Sequence, residues 1–505
     1  MDTHDSANYS LRKLRIDLVF GGAVVGLASG LISVLYRYTL GRLDDLRNIL
    51  YGSVTLPRAL LMLAGFFVLA YLMHLLLTWA PLSGGSGIPQ IRGELLGKAD
   101  IEPVPTLVSK FLGGAMGAFS GLTLGREGPS IQLGGTLAKM ISKLFRASEM
   151  ERRYLITAGA SAGLAAAFNA PLAGALFALE ELHKSFSHFF VVPCVVASVV
   201  ANFISFSFLG MEPAFSFPMT EMLPVRMIWA PIIIGIFGGI FGSLFNKGLL
   251  FGGRQIKKLP LPRYVVIFLA MAIAFAVGIH SPLLLGGGHG LIEQLAKMPF
   301  APKTLLLFFA IRLVLVWTGY DSGAQGGIFL PVLTLGALLG AFCHGFLIQG
   351  DMYYANFLYL GMAAILSSVV QAPLLSILLV SEMSGTMLQM ISITAAAMVA
   401  YLVAQLFNNG PIYESLYDNM FSNEDEIVDH GYTMQYFFVP GDADYVGIPL
   451  EKLKIPHHPL IASIKREDIT FTPNKDTILL EGDELLVLCK EQHLESLSTF
   501  FGDVE

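Results

Sequence analysis

The chain has 505 residues, of which 54% are hydrophobic and only 14% charged. That balance excludes an ordinary water-soluble enzyme of this length and points to a polytopic membrane protein. A net charge of −6 carries no nucleic-acid signature, and eleven histidines without an HExxH pair beside three scattered cysteines suggest neither a metal site nor a disulfide framework.

The N-terminus is polar and basic (Arg12, Lys13, Arg15) and then enters the apolar run Leu18 to Tyr36. The run is long and lacks a small-residue cleavage site, so a retained first helix is expected rather than a signal peptide. A second basic cluster lies at Arg254, Lys257, Lys258 and Arg263, and both clusters read as cytoplasmic. A third, from Lys139 to Arg153, prevents charge alone from fixing the whole topology.

From residue 16 to about 420, apolar stretches follow one another, many broken by glycine or proline. Broken spans are costly in lipid unless protein or a water-lined cavity covers the freed backbone. Glycines recur at helix-contact spacing: Gly22, Gly26 and Gly30; Gly113, Gly117 and Gly121; Gly235 and Gly239; Gly336 and Gly340. All are expected to mark close helix packing. Gly159-Ala160-Ser161-Ala162-Gly163 satisfies the serine-hydrolase pattern GxSxG, but no strand precedes it. An intramembrane serine hydrolase is therefore a remote alternative, and packing is the expected role.

In Gly125-Arg126-Glu127-Gly128-Pro129 a carboxylate stands between two glycines where a helix should start, with the apolar run Ile131 to Ile141 behind it. A helix start gathers free N–H groups and the positive end of the helix dipole, so it favours an anion, and Glu127 could itself be that anion. Adding 202 to the residue number lays Gly125 on Gly327, Pro129 on Pro331, Gly134 on Gly336, Ala170-Pro171-Leu172 on Ala372-Pro373-Leu374, Glu180 on Glu382, and Gly84-Gly85 on Gly286-Gly287. The two halves, about 16–215 and 225–420, should share one structure. Weak repeats with broken helices in matching places point to a transport site between the halves. Glu127 and Phe329 then occupy equivalent helix starts, and two such starts aimed at one point would hold an anion without a cation.

After a linker at 421–431, residues 432–505 become richer in charge and proline. Alternating runs at Gln435 to Val439, Leu460 to Lys465, Ile469 to Thr472 and Ile478 to Leu488 predict strands, with Glu481-Gly482-Asp483 as a turn between two of them. Glu491 to Phe500 predicts a closing helix, and the whole a small soluble α+β domain.

Gly85-Ser86-Gly87-Ile88-Pro89, the Glu127 stretch, and Gly327-Ile328-Phe329-Leu330-Pro331 together resemble the three signature stretches of the CLC chloride channel and transporter family, and Tyr413 resembles its pore tyrosine. The resemblance covers residues 16–420, with residues 1–15 left as a cytoplasmic segment. It implies an all-α membrane fold of two inverted repeats with tilted, broken helices, in a homodimer whose subunits each hold a pore. It further implies chloride held by the Ser86 and Tyr413 hydroxyls and the N–H groups of Ile328 and Phe329, Glu127 as external gate, and Glu181 as internal proton relay. Prokaryotic exchangers of this type trade chloride for protons in the inner membrane, with both termini cytoplasmic and no cofactor. A passive voltage- or pH-gated chloride channel of the same fold is the alternative, and Glu181 is the residue that discriminates. The repeat favours Glu181 over Glu180 for the relay, because Glu180 has Glu382 opposite it whereas Glu181 has Met383. Leu330 stands where many members have alanine. The tail, by its spaced Gly447, Leu450, Pro473 and Glu481-Gly482-Asp483, resembles the TrkA-C regulatory domain, which implies a small soluble ligand or a purely structural role.

Overall fold

The computed structural model describes residues 3–421 apart from 53, 185–187, 216, 218–221, 349 and 351, and residues 432–501 apart from 441–442, 444, 454, 467–468 and 491–492. The chain divides into two compact units, Met1–Phe421 and Ser422–Glu505. The expected linker at 421–431 lies, beyond Phe421, outside the described residues.

Among the described residues the first unit is built of helices. Its first half runs α1 (Thr3–Tyr51), α2 (Leu56–Trp79), α3 (Ile88–Leu95), α4 (Pro103–Ser120), α5 (Glu127–Leu144), α6 (Glu149–Phe168), α7 (Pro171–Phe177) and α8 (His188–Leu209). The second half runs α9 (Trp229–Lys257), α10 (Arg263–His280), α11 (His289–Lys297), α12 (Pro302–Asp321), α13 (Phe329–Leu347), α14 (Tyr354–Val370), α15 (Pro373–Met383) and α16 (Met390–Leu406), after which α17 (Ile412–Phe421) closes the unit. The halves match helix for helix. Among the described residues seven helices are long and apolar enough to cross a membrane. The first helix starts at Thr3, so the boundary expected at residue 15 is not a break in secondary structure.

The same close crossing recurs in both halves. Gly134 and Gly159 bring α5 and α6 together until each glycine meets the other's carbonyl, and Gly336 and Gly361 do the same for α13 and α14. Gly22, Gly26 and Gly30 lie against Pro193, Ala197 and Ala201 of α8, while Gly235 and Gly239 lie against α16. These are the helix contacts their spacing predicts. Gly113, Gly117 and Gly121 are not. Gly113 faces the Gln325 side chain, Gly117 makes only ordinary contacts, and Gly121, at φ +85°, ends α4 in a left-handed turn. Ser161 lies fully buried in the middle of α6, so its GxSxG is helix packing without the strand-to-helix elbow that a nucleophile needs.

The gapless offset of 202 slips by one residue at one place. Left-handed Gly85 and Gly87 precede α3, and left-handed Gly286 and Gly288 precede α11, so Gly85 stands opposite Gly286 rather than Gly287. The turn needs positive φ at its first and third residues, and the glycines follow the turn rather than the count.

The second unit is a four-stranded antiparallel sheet in the order β1-β4-β2-β3, with β1 at Tyr432–Phe438, β2 at Leu460–Arg466, β3 at Ile469–Phe471 and β4 at Glu484–Lys490. Helix α18 (Leu494–Phe501) covers it, and Phe437, Ile464, Leu485, Val487, Leu497 and Phe501 form its core. Asp483 is wholly buried, takes two bonds from Arg466 at 2.7 and 2.8 Å, and accepts from the Leu480 N–H at 2.9 Å, which fixes the turn before β4. The expected strand from Ile478 is shorter than its alternation suggests. Ile478 makes one isolated bridge to Pro449, and the turn sits between that bridge and β4.

Candidate functional site

Three interrupted loops converge inside the first unit, and backbone bonds between them fix their geometry. Gly125 and Gly327, one from each half, exchange N–H···O bonds of 2.7 and 2.9 Å in an antiparallel bridge. Gly85 donates to Ala324 at 3.1 Å and accepts from Gly326 at 2.9 Å. The starts of α3, α5 and α13 are thereby drawn together. The first N–H groups of each helix have no intrahelical acceptor, so the junction offers backbone donors and dipole ends to an anion.

Glu127, the first residue of α5, is completely buried. Its carboxylate faces its own N–H and that of Leu330 in the first turn of α13, but closes a full hydrogen bond with neither. The Arg126 guanidinium approaches to 3.7 Å without bonding. Ile328 and Phe329 are buried at the start of α13, and the Phe329 ring lies 5.5 Å from that of Phe168. Ser86 is wholly buried before α3, where its hydroxyl accepts from the Ile88 N–H at 3.2 Å. Tyr413, second residue of α17, buries a hydroxyl that has no protein partner. Ser86, Glu127, Ile328, Phe329 and Tyr413 thus all lie buried in one region where the halves meet.

Glu181 is set apart from them. It sits in a π-turn, Ala178–His183, that continues α7, and with Glu180, Lys184, Gln371, Gln405 and Asn409 it lines a cavity of about 490 Å³. π-Turns recur at functional sites because the extra residue re-aims a side chain. Lys184 and Arg92 flank it, but both are bound to Glu414, at 2.6 and 3.2 Å. Glu180 differs sharply. Its carboxylate accepts the N–H groups of Leu374 and Leu375 at 3.1 and 2.6 Å, capping α15. Glu382 reciprocates by accepting those of Leu172 and Ala173 at 3.1 and 2.8 Å, capping α7. Glu180 and Glu382 are a symmetric pair of exchanged helix caps, and Glu181 has no counterpart in it.

Several features of the site carried little sequence signal. Lys110 and Arg312, equivalent under the repeat, are both fully buried. Lys110 donates to the Gly85 carbonyl at 2.8 Å, and Arg312 to those of Leu284, Gly286 and Gly287 at 2.8 to 3.0 Å. Each cation holds the loop of its own half. Gln132 adds a bond of 2.7 Å to the Leu82 carbonyl behind Ser86. Lone polar residues in apolar runs could have indicated these positions, but not their acceptors.

Comparison with known proteins gives the same picture. Residues 66–405 match the family model described as voltage gated chloride channel, and residues 434–502 that of the TrkA-C domain. The chain is 33% identical over 443 residues to the H(+)/Cl(−) exchange transporters ClcA of Salmonella typhi and Salmonella typhimurium, covering 82% of this chain and 90% of theirs. Among solved structures, a slow cyanobacterial Cl−/H+ antiporter superposes with a TM-score of 0.76 at 30% identity, over 81% of this chain and 99% of that one. A eukaryotic CLC transporter shares the fold over 97% of this chain and 90% of its own, with a TM-score of 0.69 at 17% identity. With two matching halves, loops bridged at Gly125 and Gly327, and a family match spanning most of the membrane unit, this multi-pass membrane protein belongs to the CLC family.

Proposed function

We propose that the membrane unit is a secondary active transporter that exchanges chloride for protons, working as a homodimer in a bacterial inner membrane with both termini cytoplasmic. The observation that carries this reading is the Glu127 carboxylate, buried where the starts of α5 and α13 meet. A carboxylate lodged among helix-start N–H groups occupies the place of an anion. When protonated it loses its claim on those donors, and chloride takes them.

In this mechanism chloride passes along the Ser86 and Tyr413 hydroxyls and the N–H groups of Ile328 and Phe329. Neutral donors hold a halide without trapping it, which transport requires. Glu127 takes protons from outside, and Glu181, off the anion path beside its polar cavity, passes them to and from the cytoplasm. The relatives named for H+/Cl− exchange support exchange over passive conduction, as does the buried carboxylate at Glu181. The protein itself makes and breaks no covalent bond and needs no cofactor. The tail is proposed as a regulatory or dimer-stabilising module that takes a small soluble ligand.

Reconstitution in liposomes tests the reading. A chloride gradient should drive protons uphill, and chloride flux without proton movement would make the protein a channel.

A further inference from the structure

The cavity beside Glu181 lies between the π-turn, which contributes Glu181 and Lys184, and residues 408–411, which lead into α17. Lys184 ends the turn at φ +51°, and its ammonium donates to the Glu414 carboxylate of α17 at 2.6 Å. Arg92 of α3 donates to the other oxygen of that carboxylate at 3.2 Å and lays its guanidinium over the Tyr417 ring, 5.3 Å from the centroid. Both oxygens of Glu414 are thus taken by cations. The repeat gives this arrangement no twin, since Thr386 stands opposite Lys184.

A proton relay has to take up a proton as well as release it. An ammonium that shares a cavity with a carboxylate favours the ionised form and opposes the uptake. Among the described residues lining this cavity Lys184 is the one cation, and it stands three positions from Glu181. The other titratable neighbours in the turn are engaged, Glu180 with the start of α15 and His183 with the Thr157 hydroxyl at 2.7 Å. The Lys184 ammonium is engaged too, because Glu414 holds it. The bond is charge-assisted, but the two side chains are 43% and 32% exposed, which keeps its strength modest.

We infer that Glu414 is a positioning residue of the proton path, which holds the Lys184 ammonium away from Glu181 so that the relay can be protonated. The inference rests on the assignment of Glu181 as relay, and flux measurements in liposomes separate the two. Chloride flux and uphill proton movement are recorded for the wild type, Glu181→Gln, Glu414→Gln, Lys184→Gln and the variant carrying the last two changes together, with thermal midpoints measured in detergent. Glu414→Gln should slow proton movement about five-fold, the reach of one partly exposed ion pair, while chloride flux continues. Lys184→Gln should leave coupling as in the wild type, and the double variant should regain it. A bond that merely fastened the turn to α17 would instead be lost equally from either end. Full proton movement in Glu414→Gln, chloride flux that stops along with it, an equal loss in Lys184→Gln, or no recovery in the double variant would overturn the role of Glu414 while leaving Glu181 in place. Proton pumping that survives Glu181→Gln would overturn the relay assignment and this inference with it. Should Glu414→Gln fail to fold, Glu414→Asp keeps the charge but withdraws it by one methylene. The same rescue by Lys184→Gln is then expected at smaller amplitude, and its absence would overturn the inference equally.

Discussion

The two halves of the membrane unit share a backbone and differ in chemistry. α5 opens with Glu127 and α13 with Phe329, each at the same buried helix start. α7 runs on into a π-turn bearing Glu181, whereas α15 stays α-helical and has Met383 at the equivalent place. The first half supplies Ser86, where the second has Gly287. What the symmetric parts do is hold: glycine crossings, exchanged glutamate caps and loop-binding cations all come in pairs. What comes singly is every side chain proposed to handle a proton or an anion. A two-fold scaffold can bring two helix starts to one point, but directional exchange needs the two sides of that point to differ.

Breaking the asymmetry should have the largest effect. Glu127→Gln removes the competing carboxylate and Glu181→Gln removes the relay, so either should abolish uphill proton movement in liposomes while chloride flux continues. A Glu181→Gln protein that still pumped protons under a chloride gradient would remove that residue from the pathway. Glu180→Gln, one position away, should leave coupling largely intact.

The amides come next. Phe329→Pro deletes a donor at the start of α13, and hydrogen bonds to a charged group are worth roughly 1.5–3 kcal/mol, so chloride affinity should fall about ten-fold or more. Calorimetry that finds it unchanged in a folded protein rules out the amide site.

A smaller effect sharpens the symmetric side of the comparison. Glu180→Gln and Glu382→Gln each weaken one of two equivalent helix caps, so both should lower stability by a similar amount, about 1 kcal/mol each. Thermal unfolding in detergent would measure it, and a large inequality would mean the pair is not equivalent. Smallest of all, Tyr413→Phe removes one neutral hydroxyl and should cost about 1 kcal/mol of chloride binding, again read by calorimetry. A loss as large as that of Phe329→Pro would count against an amide-dominated site.

Much of this was legible in the sequence because helix starts leave short marks. Glycine, glycine and proline around Glu127 and around Phe329 report a turn and a first helical residue, and the 202-residue offset carried that reading to both halves. The reciprocal roles of Glu180 and Glu382 were visible only as a repeat. Their acceptance of N–H groups 194 to 210 positions away is a tertiary contact that no local pattern encodes. Gly113, Gly117 and Gly121 misled because spacing alone cannot tell a glycine packed against another helix from one that faces a single side chain, makes only ordinary contacts or ends its own helix.

The exchanged caps also set a clock. The N–H groups of Leu172 and Ala173 receive their acceptor from Glu382, which is made 209 residues after Ala173. At 5–20 residues per second the ribosome needs roughly 10 to 40 s for that stretch. Through that interval the start of α7 is in place without its cap, and the first half cannot reach its final form. Its completion waits on the synthesis of the second.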